Sequence, residues 1–191
     1  MTIADKVLYR TGVCPWWLCF TFDNPLRRVL QNPRKILEGI VQQGQNVLDI
    51  GCGMGYFSIP LAQLVGSSGS VTCIDLQQHM LDATKQRAEG AGVGGIIKYH
   101  RCTKDSLGLT GKADFALTFW MVHEVPGKQR FLGEIKEALK TGGQLLLAEP
   151  RLHVTRQAFD ATVSDAQAVG FQVAAAPRVS MSMAVLLTAS S

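Results

Sequence analysis

The residues best equipped for chemistry begin at Asp49, in the run Asp49-Ile50-Gly51-Cys52-Gly53-Met54-Gly55-Tyr56-Phe57, directly after the apolar pair Val47-Leu48. A strand that runs into a glycine turn and then a helix is where open α/β sheets take their ligands. Glycine has no Cβ, so a ligand can lie against bare backbone and a positive φ costs little. Spacing separates the ligand classes. A dinucleotide fingerprint places its third glycine three positions after the second, and Tyr56 stands there. The turn instead reads GxGxG, with Asp49 two positions before its first glycine.

A carboxylate at Asp49 disfavours a pyrophosphate and suits the cationic end of an adenosylmethionine. The alternative is a tight turn that holds no ligand. Asp75 ends the next apolar run, Val71-Thr72-Cys73-Ile74. It lies about twenty residues past the turn, where this topology places an acid to accept hydrogen bonds from a ribose. Capping the following helix is its other possible role. With the ribose at Asp75, Leu76 and Met80 offer apolar surface near an adenine.

Two further groups follow later strands: Phe119-Trp120-Met121-Val122-His123-Glu124 and Glu149-Pro150-Arg151-Leu152-His153. Both fall at carboxyl ends of strands, on the rim that carries the glycine turn. Phe119 is expected beside the cofactor. His123 and Glu124 are the candidates for chemistry, because histidine titrates near neutrality. Glu149 can serve a backbone or a neighbouring histidine, and His153 can be plain surface. No compact metal-ligand motif occurs, and no metal is expected. Trp16, Trp17, Phe20 and Phe22 form either an apolar lid or a packed arm, and Arg27-Arg28 is expected at the solvated surface.

The elements that must position these residues are legible from periodicity. From Ile36 onward, short Val/Ile/Leu runs alternate with stretches that repeat apolar residues every three or four positions, the pattern of strands and helices layered on a parallel sheet. Asn32 and Pro33 start a helix with an apolar stripe Ile36, Leu37, Ile40 and Val41, stopped at Gly44. Strands are expected over 46–50, 70–74, 96–101, 114–119 and 143–148. Helices are expected over 56–65 and 77–89, around Phe131–Leu139, and after Thr155. Two strand-like runs, 171–175 and 183–187, are joined by a link too short for a parallel crossover, so they form an antiparallel hairpin. Residues 1–35 read as an N-terminal arm or lid and 36–191 as the catalytic domain.

The chain has 191 residues, 47% of them apolar and 18% charged, enough for one domain with a real core. A net charge of +4 is spread without a basic stripe, which argues against nucleic acid as a partner. Five cysteines without a CxxC pair suggest a reduced, cytoplasmic protein. No leader and no membrane span are evident.

The run Val47 to Gly55 resembles the first motif of class I S-adenosylmethionine-dependent methyltransferases. The chain is most similar to the small-molecule enzymes related to ubiquinone and menaquinone biosynthesis. Asp75 matches the family's ribose acid, Asp114-Phe115 the opening of its fourth strand, and Leu139-Lys140-Thr141-Gly142-Gly143 the turn before the fifth, with Thr141 replacing a common proline. The resemblance implies a Rossmann-like α/β fold, a seven-stranded, mostly parallel sheet with a C-terminal antiparallel hairpin and helices on both faces. It implies S-adenosylmethionine as cofactor, held by Asp49, Gly51, Gly53, Gly55, Asp75, Leu76, Met80, Thr103, Lys104 and Phe119. One departure concerns the adenine. The family has Gly-Asp after the third strand, whereas this chain has Cys102-Thr103-Lys104-Asp105. Either the Thr103 hydroxyl and the Lys104 backbone hold the adenine edge, or Asp105 does. The implied activity is methyl transfer to a small molecule by in-line displacement. The competing readings are a non-catalytic S-adenosylmethionine-binding module, a nicotinamide-dependent oxidoreductase, and a metalloid methyltransferase using Cys14 and Cys19.

Overall fold

The computed structural model describes residues 30–190. The aromatic segment Trp16–Phe22, Arg27-Arg28 and the cysteines Cys14 and Cys19 lie outside the described residues.

The expected sheet is present. Its strands are β1 (Asn46–Ile50), β2 (Ser70–Asp75), β3 (Ile97–Arg101), β4 (Ala113–Phe119), β5 (Leu139–Pro150), β6 (Phe171–Ala175) and β7 (Ser182–Ala189), ordered β3-β2-β1-β4-β5-β7-β6. β1 to β5 pair in parallel. β7 is antiparallel to both neighbours, β5 and β6. The terminal hairpin therefore inserts its second strand between β5 and β6, and β7 alone runs against the rest.

The helices are α1 (Pro33–Leu37), α2 (Ser58–Val65), α3 (Gln78–Gly90), α4 (Lys128–Ala138) and α5 (Arg156–Ala168). They cover both faces of the sheet, because successive strand residues point to opposite sides. On one face, Ile50, Leu145 and Leu147 pack with Leu132 and Ile135 of α4 and Phe159 of α5. On the other, Val47, Val71 and Leu146 pack with Leu37 of α1, Leu61 and Val65 of α2, and Leu81 of α3. β1, at the centre, is buried from Val47 to Ile50. Among the described residues, no helix is long and apolar enough to cross a membrane.

Several boundaries differ from expectation, those of α1, α2 and β5 most informatively. The first helix stops at Leu37 rather than continuing to Gly44. Asn32 caps it as expected, accepting from the Arg34 and Lys35 N–H groups, but Glu38 turns extended and Gly39 takes a φ of +77°. Leu37 and Val41 are buried nonetheless, because the chain folds back onto α2 without a continuous helix. The second helix begins at Ser58, not Tyr56, since Phe57 occupies the cap position. β5 is longer at both ends: Leu139 pairs with Ala113 ahead of a bulge, and Glu149 and Pro150 pair with Met183 and Ser182. Glu149 thus belongs to the last rungs of a central strand and not to a loop.

One core position is unfavourable. Thr118 is fully buried in β4, and its hydroxyl has no partner among the described residues. An unsatisfied buried hydroxyl costs about 1–3 kcal/mol. Thr118→Val, which replaces it with a methyl of similar shape, should raise the unfolding free energy by about 1 kcal/mol, measured by urea denaturation.

Candidate functional site

The strand order reverses between β1 and β4, and the crevice opens at their carboxyl ends, where Gly51 follows β1 and Trp120 follows β4. The glycine turn lines one side. Gly51, Gly53 and Gly55 all have positive φ, at +72°, +54° and +80°. Their surroundings divide their roles. A Cβ on Gly51 would sit 2.8 Å from Met121 Cγ, and one on Gly55 would sit 2.9 Å from Thr84 Cγ2. Those two glycines are required by packing. A Cβ on Gly53 would meet nothing within 4 Å. Gly53 is therefore the bare strip of backbone that faces open space.

Asp75, at the end of β2, ties this turn to the next one. Its Oδ2 accepts from the Gly53 N–H at 3.0 Å, and its Oδ1 accepts from the Gln77 N–H at 2.9 Å. Burial raises its pKa, and these backbone donors oppose the rise. Thr84 Oγ1 donates to the Gly53 carbonyl at 2.8 Å, and Arg87 Nη1 to the Met54 carbonyl at 3.2 Å, so α3 clamps the turn from behind.

Asp49 lies deeper, 3% exposed, with Ser58 Oγ donating to its Oδ2 at 2.5 Å. Burial pushes its pKa up to about 7; the Ser58 hydrogen bond opposes this and the Asp75 charge adds to it. Asp49 therefore lies near enough to Asp75 to sense its charge.

Met80 is buried and Leu76 half-buried beside Asp75. Thr103 and Lys104 are exposed. The Thr103 hydroxyl is engaged inside its own loop, accepting from Ser106 N–H at 3.1 Å and donating to the Ser106 carbonyl at 3.2 Å. Asp105 lies 3.9 Å from Arg130 with its side chain exposed. Phe119 is almost buried, its ring 4.3 Å from that of Phe57 and 5.6 Å from that of Trp120 between centroids.

The opposite side of the crevice holds the polar pair. His123 and Glu149 come together despite their separation in sequence: the His123 N–H donates to Glu149 Oε1 at 3.0 Å, and His123 Nδ1 lies 2.6 Å from Glu149 Oε2. Glu124 Oε1 is farther, 4.0 Å from His123 Nε2. Burial works against a charged His123, but the hydrogen bond and charge of Glu149, with Glu124 adding, raise its pKa overall; Lys128 opposes them. His153 is exposed and outside this group.

Several participants carry no sequence signal. Trp120 takes a φ of +61°, rare for a bulky residue, and its Nε1 donates to Ser182 Oγ at 2.8 Å. Gln31 is buried and donates to the Ser180 carbonyl at 3.0 Å, while its own carbonyl accepts from Tyr56 OH. Beside them, an open groove of about 460 Å³ is lined by Arg151, Arg178, Ser180 and Met181, among others. That volume falls in the range of small-molecule sites.

The family described as a methyltransferase domain matches residues 42–178. This chain belongs to that family. The match covers both sides of the crevice and implies S-adenosylmethionine as the methyltransferase cofactor; it sets aside the nicotinamide reading. Among curated proteins, the chain is 29% identical over 124 residues to the demethylmenaquinone methyltransferase of Listeria welshimeri, covering 63% of this chain and 52% of that protein. It is 31% identical over 110 residues to the ubiquinone/menaquinone biosynthesis C-methyltransferase of Haemophilus ducreyi, covering 57% and 42%. The chain thus matches about half the length of these relatives. Among solved structures, an S-adenosylmethionine-dependent methyltransferase from Aquifex aeolicus superposes with a TM-score of 0.81 at 21% identity, covering 91% of this chain and 98% of that one. The [4+2]-cyclase SpnF superposes at 0.66 with 20% identity, covering 78% and 60%. The fold therefore does not by itself fix the reaction.

The residues present fit the implied cofactor, because Gly53 leaves space where a side chain would stand and Asp75 closes the adjoining strand with a carboxylate. Gly53→Ala should weaken S-adenosylmethionine binding at least tenfold by calorimetry. Gly55→Ala should instead lower the melting temperature more, because its Cβ strikes Thr84.

Asp49 supplies a pH test. Its folded pKa of about 7 lies above its ordinary value of 3.8. The folded state therefore holds this proton more tightly, and the stability it adds is complete below about pH 4 and lost as pH rises through 7. Asp49→Asn should be stabilised over the parent at pH 8 and much less so at pH 5, by thermal melts at both values.

Proposed function

We propose that this chain transfers a methyl group from S-adenosylmethionine to a small-molecule acceptor. The observation that carries the reading is the open backbone at Gly53 beside Asp75, within a family match spanning both sides of the crevice. When bound, the cofactor supplies a methyl group on a positively charged sulfur, an electrophile that needs alignment more than activation. Asp75 holds the ribose. Gly51, Gly53 and Gly55 shape the turn against the cofactor, and Asp49 contributes the negative field that favours its cationic end. Leu76, Met80 and Phe119 give the apolar walls, and Thr103 and Lys104 border the adenine. His123 and Glu124 stand on the acceptor side and carry the chemistry there.

A small acceptor is supported by the quinone-biosynthesis enzymes among the curated relatives. Free Cys52, Cys73 and Cys102 support a reducing compartment, the cytoplasm.

Calorimetry should give an S-adenosylmethionine dissociation constant in the micromolar range, on the order of 1–100 μM, as for metabolic ligands generally. Incubation with a metabolite panel should release S-adenosylhomocysteine. No heat and no thermal shift at millimolar cofactor would sink the proposal. Binding without turnover on any acceptor would point to a regulatory module instead.

A further inference from the structure

The closest polar contact on the acceptor side involves a residue outside the roles assigned above. Glu149 is buried at 1% exposure and uses both carboxylate oxygens on one residue, the backbone N–H and the ring Nδ1 of His123. Among the described residues, no lysine or arginine is ion-paired with it, and His123 is its only salt-bridge partner. A buried carboxylate without a guanidinium or ammonium partner is costly to maintain unless a hydrogen-bonded cation can form beside it. The imidazole is the group that can become that cation.

The two contacts fix the ring. The backbone contact anchors residue 123 in the turn after β4, and the Nδ1 contact sets the rotation of the side chain. A carboxylate accepts and does not donate, so Nδ1 carries the proton and Nε2 is left with its lone pair when the ring is neutral. The His123 side chain is 26% exposed, while Glu149 on the Nδ1 side is 2% exposed. Nε2 is therefore on the open side, with Glu124 at 4.0 Å.

We infer that Glu149 is a positioning residue, holding His123 so that Nε2 takes a proton from an acceptor whose attacking atom carries one, a phenolic or enolic hydroxyl or an acidic C–H. The inference rests on the methyl-transfer reading above and narrows its substrate class. The step balances. The acceptor atom uses an electron pair to form its bond to the methyl carbon. The carbon–sulfur bond breaks with its pair going to sulfur, which becomes a neutral thioether. The acceptor's proton moves to Nε2, and the resulting imidazolium lies against the Glu149 carboxylate. Solvent then takes the proton. A thioether or tertiary amine acceptor has no proton to lose and gains nothing from this arrangement.

Among the described residues, the groups facing His123 are Glu149 from β5, Glu124 from its own turn and Lys128 from α4. Glu149→Gln keeps an oxygen for the backbone N–H but removes the charge. The His123 titration should then move to lower pH, read by NMR of the ring nitrogens, and above that pKa the parent ring should be protonated at Nδ1. With a panel of phenols and 1,3-dicarbonyl carbon acids, the acidic limb of kcat/KM should move down by the same amount. His123→Asn should lower kcat about 100-fold, on the scale of general-base catalysis. Both variants should bind S-adenosylmethionine like the parent.

An unmoved His123 titration in Glu149→Gln overturns the positioning role. Turnover with thioethers or tertiary amines alone, or a His123→Asn variant with unchanged kcat/KM, overturns the acceptor class. Cofactor binding with no product from any phenol or carbon acid does so as well. A parent that binds no cofactor instead overturns the methyl-transfer reading, and the ring titration still judges Glu149. Should either variant fold poorly, the conservative Glu149→Asp should show a His123 titration between those of the parent and Glu149→Gln.

Discussion

The carboxylate of Asp75 is the contact on which the cofactor side of the crevice depends. It closes β2, reaches back to the Gly53 N–H and forward to the Gln77 N–H, and so joins the turn after β1 to the turn before α3. The two loops share one acceptor because β1 and β2 are adjacent and in register, with Ile50 paired to Ile74. Asp75 thus keeps both turns in place through backbone donors. The cost of burying it is visible in its raised pKa, and the backbone donors offset part of that cost.

The same logic explains why the two sides of the crevice differ electrically. Carboxylates at Asp49 and Asp75 lie beside the glycine turn, where burial raises the pKa of both and the Asp75 charge adds to the rise at Asp49. Across the reversal in strand order stands an imidazole already supplied with its own buried carboxylate. Met121 spans the gap, its side chain packed on Gly51. The turn after β4 therefore does two things: it fills the space that an alanine at 51 would need, and two residues later it delivers His123 to Glu149. A shift in this turn would disturb both sides together.

Much of this was legible in the residues. The strand order of events, the glycine turn, Asp75 at a strand end and the reversed terminal strand all follow from local patterns of apolar runs and breakers, which act over a few residues. What was not legible depends on contacts distant in sequence. Gly51 and Gly55 look equivalent to Gly53 in the motif, yet their missing Cβ atoms serve Met121 and Thr84, residues supplied by other elements. The positive φ of Trp120 is held by a hydrogen bond to Ser182, 62 positions away, and no property of tryptophan predicts it. The early stop of α1 at Glu38 was masked because Ile40 and Val41 keep the helical spacing after the helix has ended. Thr103 aligned with an acidic position, but its hydroxyl is used by Ser106 in a local turn, which motif comparison cannot see.

The His123–Glu149 pair lies between these cases. Both residues were visible as candidates, but their partnership needed the pairing of β4 with β5 and the extension of β5 to Pro150. That extension follows from β7: Met183 and Ser182 pair with Glu149 and Pro150, so the antiparallel strand keeps β5 regular to its end and buries the carboxylate. Without β7, Glu149 would end a strand at the sheet's edge and be wet, and a hydrated carboxylate exerts a far weaker pull on an imidazole than a buried one. The reversed strand that distinguishes this sheet from a wholly parallel one thus also sets the strength of the contact between Glu149 and His123.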